Sequence, residues 1–450
     1  MTKNDIVKLE ITSLTSEGSG VGRCDGMAVF VPFTAVGDVI SCRIVKVLKS
    51  YAFGKIEEII TSSPDRTESS CPMFGKCGGC VFRHITYEAE LRAKEQIVRD
   101  AFGRLGKNLS PEFLPIIGSE CSENYRNKLQ MPLARSDNGA YCGFFAPRSH
   151  RVIKVERCPL QPEIFAEITK FVLEYINRRH ISIYNEEKHE GVLRHIFLRK
   201  GYYSGEICLC IVARKSVPEL SGLAAEVTEK FPHITGVVLN INSEKTNVIL
   251  GDKETVLKGR AEISDTMCGV SVEISPRSFY QVNTPAAEQL YKQAAEFAQP
   301  RGKVLLDLYC GAGTIGLSMA REARRVIGAE IVPEAVENAK RNAAASEFFN
   351  TEFICADAGE AAENLAERGL KPDVIILDPP RKGCGEETLA ACAKMSPERI
   401  VMISCNPATA ARDCARLAEL GYKTEKARAF DLFPRTGHVE CVVLMSKVQK

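Results

Sequence analysis

At 450 residues the chain has room for two to four domains, at roughly 100–200 residues each. Its 45% hydrophobic and 26% charged residues exclude disordered and collagen-like classes. Lys and Arg (59) nearly balance Asp and Glu (57), so the net charge of +2 selects no partner and any nucleic-acid surface has to be local.

No apolar run reaches the ~18 residues that a membrane span needs. From the polar opening MTKNDIVKLE no signal peptide is expected. A soluble, cytoplasmic protein with no membrane partner is the expectation. The 18 cysteines fall short of a disulfide scaffold and are expected to be reduced. Each is by default a small buried hydrophobe, so only special spacing or neighbours promote one.

In residues 1–60, alternating runs at Val7–Leu14, Met27–Pro32, Asp38–Val47 and Tyr51–Ile59 are separated by glycine turns. They predict five or so strands and an OB-like β-barrel, a form that often binds nucleic acid. Between Cys42 and Lys55 stand Arg43, Lys46, Lys49 and Lys55, with Tyr51 and Phe53 and no acid. This stripe is either a solvated strand face or a track for an RNA backbone with rings for its bases.

The linker TSSPDRTESS closes this module, and Cys71-Pro-Met-Phe-Gly-Lys-Cys77-Gly-Gly-Cys80 follows. A helix of about 20 residues is expected from Tyr87. A mixed, strand-rich α+β region extends to about residue 270. Within 121–160, seven Lys/Arg face three Asp/Glu, with Tyr125, Tyr141, Phe144 and Phe145 between them, which suits an RNA surface or a core.

Beyond Arg301, strands are expected at Val304–Tyr309, Val326–Ile331, Glu352–Ala356, Val374–Leu377 and Ile400–Ser404. Helices are expected at Thr314–Arg321, Pro333–Ala345, Gly359–Glu367, Glu386–Lys394 and Thr409–Leu420, and a last strand at His438–Met445. This alternation implies a parallel, doubly wound, Rossmann-like sheet. The chain therefore reads as multidomain α/β: barrel 1–60, central domain 61–270, nucleotide-type domain 271–450.

The first βα turn, Asp307-Leu-Tyr309-Cys-Gly311-Ala-Gly313, lets backbone approach a ligand, and Glu330 ends the next strand, where an acid binds ribose hydroxyls. Taken with the element that follows, the turn and the acid predict an adenosyl ligand. Asp378-Pro379-Pro380-Arg381 ends a later strand at the ligand-binding carboxyl edge. An acid and an arginine there, rather than an amide and a ring, argue for chemistry at carbon or on uracil. Ser404-Cys405-Asn406-Pro407 brings a thiol to a strand end that opens a helix, a setting that favours a nucleophilic thiolate. Glu440, after Gly437-His438-Val439, is a surface acid or a base aimed into the site.

Together, Ser404-Cys405-Asn406-Pro407, Asp378-Pro379-Pro380-Arg381 and Gly437-His438-Val439-Glu440 resemble the RNA uracil-5 methyltransferases, specifically their 23S ribosomal RNA branch. The resemblance covers essentially the whole chain, and the barrel is similar to the TRAM domain of those enzymes. It implies a monomeric enzyme in which Cys405 adds to carbon 6 of uracil and carbon 5 takes a methyl group from S-adenosylmethionine. Glu440 then removes the carbon 5 proton. It further implies a methyl-donor site of Gln281, Tyr309, Glu330 and Asp378.

For Cys71, Cys77 and Cys80, with Cys158 as fourth ligand, spacing alone leaves an iron–sulfur cluster and a four-cysteine zinc site open. The resemblance favours a 4Fe–4S cluster with a structural or RNA-docking role. Transfer RNA is the rival substrate. Its uracil-5 enzymes are expected to lack the barrel and the cysteine cluster, which tilts the choice to 23S ribosomal RNA. A Rossmann dehydrogenase is disfavoured by the missing third glycine. A non-catalytic RNA-binding protein is disfavoured by the intact Asp307, Gly313, Glu330, Asp378 and Cys405.

Overall fold

The structure, a computed structural model, describes residues 1–106 and 109–448. The chain divides into two units: Met1–Ser122 with Pro379–Glu386 and the chain from Met402 onward, and Glu123–Asp378 with Glu387–Val401. No helix among the described residues is long and apolar enough to cross a membrane.

The first unit opens with six strands in one sheet: Ile6–Glu10, Ser13–Leu14, Ser19–Cys24, Met27–Pro32, Val39–Val47 and Tyr51–Thr61. Period-two alternation drives it: Ile40, Cys42 and Ile44 point inward with Leu9, Ile11, Val29, Val31 and Ala52. A Cβ at Gly54 would stand 2.2 Å from the Cys42 sulfur, so only glycine fits where these strands meet. The expected run Val7–Leu14 is two strands, and Ser19–Cys24 is an additional one whose glycines hide its alternation.

The helix Tyr87–Leu105 begins where Thr86 caps it, its side chain accepting from the Ala89 amide. Beyond it, Glu112–Ile117 runs parallel to Tyr422–Phe430, which pairs antiparallel with Glu440–Lys447. The helix Pro407–Glu419 starts at proline with Asn406 as its cap, two residues before the expected Thr409.

The second unit contains a seven-stranded sheet in the order Val152–Lys154, Gly139–Phe145, Lys128–Ser136, Leu193–Lys200, Ile207–Ala213, Ile234–Ile241, Lys253–Gly259. Only Ile207–Ala213 and Ile234–Ile241 are parallel, joined through the helix Glu219–Lys230. Later in the same unit, Thr351–Cys355, Arg325–Glu330, Val304–Leu308 and Val374–Leu377 are parallel neighbours in that order. The chain moves outward from Val304–Leu308 and returns to its other side with Val374–Leu377. That reversal opens a crevice at the carboxyl ends of these two strands.

Candidate active site

The crevice is lined by backbone bent for close approach. Tyr309, Gly311 and Gly313 have φ of 66°, 55° and 79°, in the left-handed region that costs a side chain energy. At Gly313 a Cβ would also meet the Phe353 ring at 3.0 Å and Ala339 at 3.1 Å. Glu330 is oriented by two backbone donors, Gly311 N–H to Oε2 (3.1 Å) and Val332 N–H to Oε1 (2.9 Å). Its remaining lone pairs are available to hydroxyl donors.

Asp307 is buried beneath the turn and accepts from the Gly316 amide at 2.9 Å. Burial pushes its carboxyl up to about 8, against the pull of that hydrogen bond and with the fields of Asp378 and Glu330 adding. Asp378 is half-buried, and the hydration lost by its carboxyl lifts it to about 7. The Gln281 side chain bonds the Tyr291 hydroxyl, which also feels Asp378 and lies 3.4 Å from Thr314 Oγ1. Gln281 is held from behind, its carbonyl accepting from Asn127 Nδ2 at 2.8 Å. The second unit thus brings Gln281, Glu330 and Asp378 around the turn that carries Tyr309. The sequence reading missed Tyr291 and Thr314, since a tyrosine inside an amphipathic helix reads as core.

The first unit holds Cys405 and Glu440. Half-buried Cys405 directly precedes Asn406, whose Oδ1 accepts from the Ala408 amide (3.1 Å) and whose Nδ2 donates to the Arg381 carbonyl (3.1 Å). Ser404 Oγ accepts from the Asn406 amide at 3.1 Å and fixes the same turn. Glu440, 8% exposed, opens its strand opposite Phe430. The next residue, Cys441, is driven up by burial, and both Glu440 and Cys405 add to that rise. A strand-end thiol and a buried carboxylate therefore belong to the same unit.

A buried charge network holds the segment that leads to Glu440. Lys94 Nζ donates to Glu90 Oε1 (2.7 Å), Asp431 Oδ1 (2.7 Å) and the Phe433 carbonyl (3.2 Å). All three charged side chains are fully buried. The Arg435 amide donates to Glu90 at 2.7 Å, and the Phe433 amide to Asp431 at 3.1 Å.

In the cysteine loop, also of the first unit, Arg83 Nε donates to Cys80 Sγ at 3.3 Å and Nη1 to Ser70 at 3.3 Å. Burial raises the Cys80 thiol, Arg83 opposes the rise, and Cys77 and Cys71 add to it. Three soft donors beside a guanidinium suit a thiolate-bound metal in kind. No group of three or more His, Cys, Asp or Glu is gathered to hold a metal ion among the described residues. Half-buried Cys158 belongs to the other unit.

Of the two basic, aromatic stretches, the first is partly neutralised. Glu57 pairs with Arg43 (2.5 Å) and Lys55 (3.4 Å), leaving Lys46 and Lys49 exposed. Phe30, Tyr51 and Phe53 form a ring cluster with centroids 5.5–5.9 Å apart. In the second stretch Tyr125 is a core residue, while Tyr141, Phe144 and Phe145 are half-buried.

A glycine-turned, parallel α/β sheet with acids at its carboxyl edge, in a chain that also carries a small β module, defines a nucleotide-type transferase architecture. The family described as tRNA (Uracil-5-)-methyltransferase matches residues 86–448, and the TRAM domain matches residues 2–56. The chain belongs to the tRNA (uracil-5-)-methyltransferase family, a family of RNA-methylating enzymes.

The chain is similar to an uncharacterized RNA methyltransferase of Halalkalibacterium halodurans, 42% identical over 447 residues, with 99% of this chain and 98% of that protein covered. A Clostridium tetani protein of the same description is 41% identical over 446 residues, covering 99% and 97%. Among solved structures, a tRNA (uracil-54, C5)-methyltransferase of Pyrococcus abyssi, in complex with S-adenosyl-L-homocysteine, aligns with a TM-score of 0.77 and 26% identity. It covers 98% of this chain and 100% of its own. That match corrects the substrate argument drawn from sequence. A tRNA enzyme aligns over nearly the full chain, so the N-terminal region does not separate ribosomal from transfer RNA.

Proposed function

We propose that this chain methylates carbon 5 of a uridine in structured RNA, 23S ribosomal RNA in the first reading, with Cys405 as nucleophile and Glu440 as base. The observation that carries the reading is that one unit holds both a half-buried thiol at the end of a strand that opens a helix and a buried carboxylate.

Carbon 5 of uracil is a weak nucleophile. The Cys405 thiolate forms a bond to carbon 6, and the electron pair of the 5,6 double bond becomes available at carbon 5. S-adenosylmethionine supplies an electrophilic methyl group on a sulfonium. Glu440 then takes the carbon 5 proton, the double bond re-forms, and the bond from carbon 6 to sulfur breaks to free Cys405. Glu330 suits the donor's ribose hydroxyls, Tyr309 flanks it, Gln281 and Asp378 complete its site, and the nearby acids favour a cationic ligand. The target base has to leave its stack to reach Cys405, at a cost of about a few kcal/mol that RNA contacts elsewhere offset.

The domain division proposed with this mechanism is barrel 1–60, central region 61–270 and donor domain 271–450. Cys71, Cys77, Cys80 and Cys158 are assigned a 4Fe–4S cluster with a structural or docking role, supported by the spacing of the three loop cysteines and the Arg83 hydrogen bond to Cys80. Iron and sulfide in anaerobically purified protein test it, and one equivalent of zinc without iron refutes it.

A second reading, transfer RNA as substrate, is favoured by the near full-length alignment with the Pyrococcus abyssi enzyme. Labelled methyl transfer to 23S fragments and to tRNA transcripts separates the two. In the same assay Cys405→Ala should abolish turnover while retaining donor binding, and Glu440→Gln should accumulate a covalent RNA–protein adduct. Substantial turnover by Cys405→Ala would sink the mechanism.

A further inference from the structure

The seven-stranded sheet of the second unit holds a basic cluster that the reaction above does not use. In the register between Lys128–Ser136 and Leu193–Lys200, Arg199 stands directly opposite Lys128. Directly opposed side chains lie roughly 5 Å apart at Cβ, and like charges so placed repel. Arg126, two residues before Lys128, adds a third positive group whose field also reaches Lys128.

Arg199 is only 2% exposed, and its Nε and Nη1 have no hydrogen-bond partner. The buried Nε of Arg126 is likewise unpartnered. No carboxylate pairs with Arg126, Lys128 or Arg199 in any ion pair among the described residues. Arg199 stands over the Phe197 ring at 5.8 Å, a contact that tolerates the cation without neutralising it. Buried guanidinium groups are ordinarily paired, because an uncompensated buried charge costs several kcal/mol. The price recurs here at adjacent positions of one sheet.

The cost is visible in the protonation of the cluster. Burial, with repulsion from Arg199 and Arg126, lowers the Lys128 ammonium to about 8, and burial lowers the Arg199 guanidinium to about 10. A group that brings negative charge and several acceptor oxygens would relieve all three cations at once. A tetrahedral oxyanion does this, and a guanidinium fork with two unused donors matches it.

The position identifies the source. Asn127, between Arg126 and Lys128, holds the Gln281 carbonyl, and Arg199 lies within the field of the Tyr280 hydroxyl on the same loop. The cluster therefore flanks the segment assigned above to the donor site. We propose that Arg126, Lys128 and Arg199 form an oxyanion site for one backbone phosphate of the substrate RNA, next to the nucleotide that is methylated. Arg199 forms its floor, and half-buried Arg126 and Lys128 form its mouth. This phosphate would supply part of the contact energy that extrusion of the base requires. The inference rests on the RNA-methylating reading for its ligand, not for its geometry.

The test compares full-length wild type with Arg199→Gln, Lys128→Gln and Arg199→Lys. Inorganic phosphate, against chloride at matched ionic strength, should raise the Tm of the wild type and of Arg199→Lys but not of Arg199→Gln. On 23S or tRNA fragments, Arg199→Gln should weaken RNA binding about tenfold, the loss of one charge-assisted contact. It should also flatten the salt dependence by about one unit of slope while the KM for the methyl donor holds. Without ligand, Arg199→Gln should be at least as stable as wild type, because it removes an unpaired buried charge.

A residue that merely supports the sheet would instead lose stability with phosphate response and salt slope intact, and that result overturns the proposal. Should Arg199→Gln fail to fold, Lys128→Gln carries the same two binding readouts. A wild type that responds to phosphate yet methylates no RNA would reject the reaction and keep the oxyanion site.

Discussion

The network around Lys94 gives a demanding test of how the base-bearing segment is held. Replacing Lys94 with Met keeps most of the side-chain volume and deletes the charge. The ammonium makes three hydrogen bonds of 2.7–3.2 Å, two of them to the fully buried carboxylates Glu90 and Asp431. Breaking a buried pair by removing one partner costs about 3–5 kcal/mol, because the survivor stays charged and unhydrated. Here two acids survive. Asp431 Oδ2 and Glu90 Oε2 already have no hydrogen-bond partner. Some compensation remains, since the Arg435 amide donates to Glu90 and its guanidinium lies 3.6 Å away. A loss of about 3 kcal/mol is therefore expected, a large share of a total stability of about 5–15 kcal/mol.

The pH dependence carries the sharper signature. Burial raises the Glu90 carboxyl, Lys94 opposes that rise, and Asp431 adds to it, so deleting Lys94 moves Glu90 further up. For an acid whose folded pKa is raised, the stability contributed by its neutral form is present below the unfolded value of about 4.3 and is lost as pH climbs through the folded value. The deficit of Lys94→Met should accordingly be small near pH 5 and grow toward pH 8, as read by denaturant midpoints at both. Adding Glu90→Gln and Asp431→Asn should recover most of the loss. A variant within ~1 kcal/mol of wild type at pH 8, or a deficit independent of pH, would refute the reasoning.

Two further changes probe other parts of the chain. Asp307→Asn removes a buried carboxyl pushed up to about 8, so its stability should match wild type near pH 4, where Asp307 is largely neutral folded or unfolded, and exceed it increasingly up to pH 8, as only the unfolded wild-type chain ionises freely; thermal melts at the two pH values decide it. Gly437→Ala would set a Cβ 1.6 Å from the Ser16 carbonyl, a backbone atom that cannot swing aside. It should cost about 1–3 kcal/mol and lower turnover by disturbing the approach to Glu440, whereas unchanged activity and melting would contradict that packing.

Much of the fold was legible where local chemistry and tertiary fate agree. The helix Pro333–Ala345 and the strands Met27–Pro32 and Val374–Leu377 lie at their expected residues, because proline or a turn stops each one and apolar periodicity fills it. The pairing of Glu112–Ile117 with Tyr422–Phe430 has no local signature: the partners are some three hundred positions apart. YKTEKARAF moreover carries charges that read as a solvated segment. It is a strand because ladders on both sides take its backbone while Thr424, Ala427 and Ala429 turn inward. The helix after Gly313 closes at Ser318 rather than Arg321, as Met319 turns its amide back to Gly316 and Leu317.

The site divides along the same line. Cys405, Glu440, Glu330 and Asp378 stand out in sequence because their chemistry needs a strand end, and strand ends are visible as apolar runs that stop at polar, glycine or proline residues. Lys94 and Arg199 do not. A Glu90–Lys94 pair at helical spacing reads as a solvent-exposed bridge worth a few tenths of a kcal/mol, and only the arrival of Asp431 turns it into a buried network. Arg199 and Lys200 close the strand LRHIFLRK as an ordinary basic end, and only the opposed Lys128 makes Arg199 part of a concentrated charge. The run from Cys42 to Lys55 errs in the other direction: it contains no acid, yet Glu57 on the next outward position of the same strand reaches Arg43 and Lys55. Periodicity tells which face a charge occupies, whereas its energy depends on what the rest of the chain brings to meet it. The unmet charges on the sheet beside Gln281 are consequently the part of this molecule that calls for a ligand.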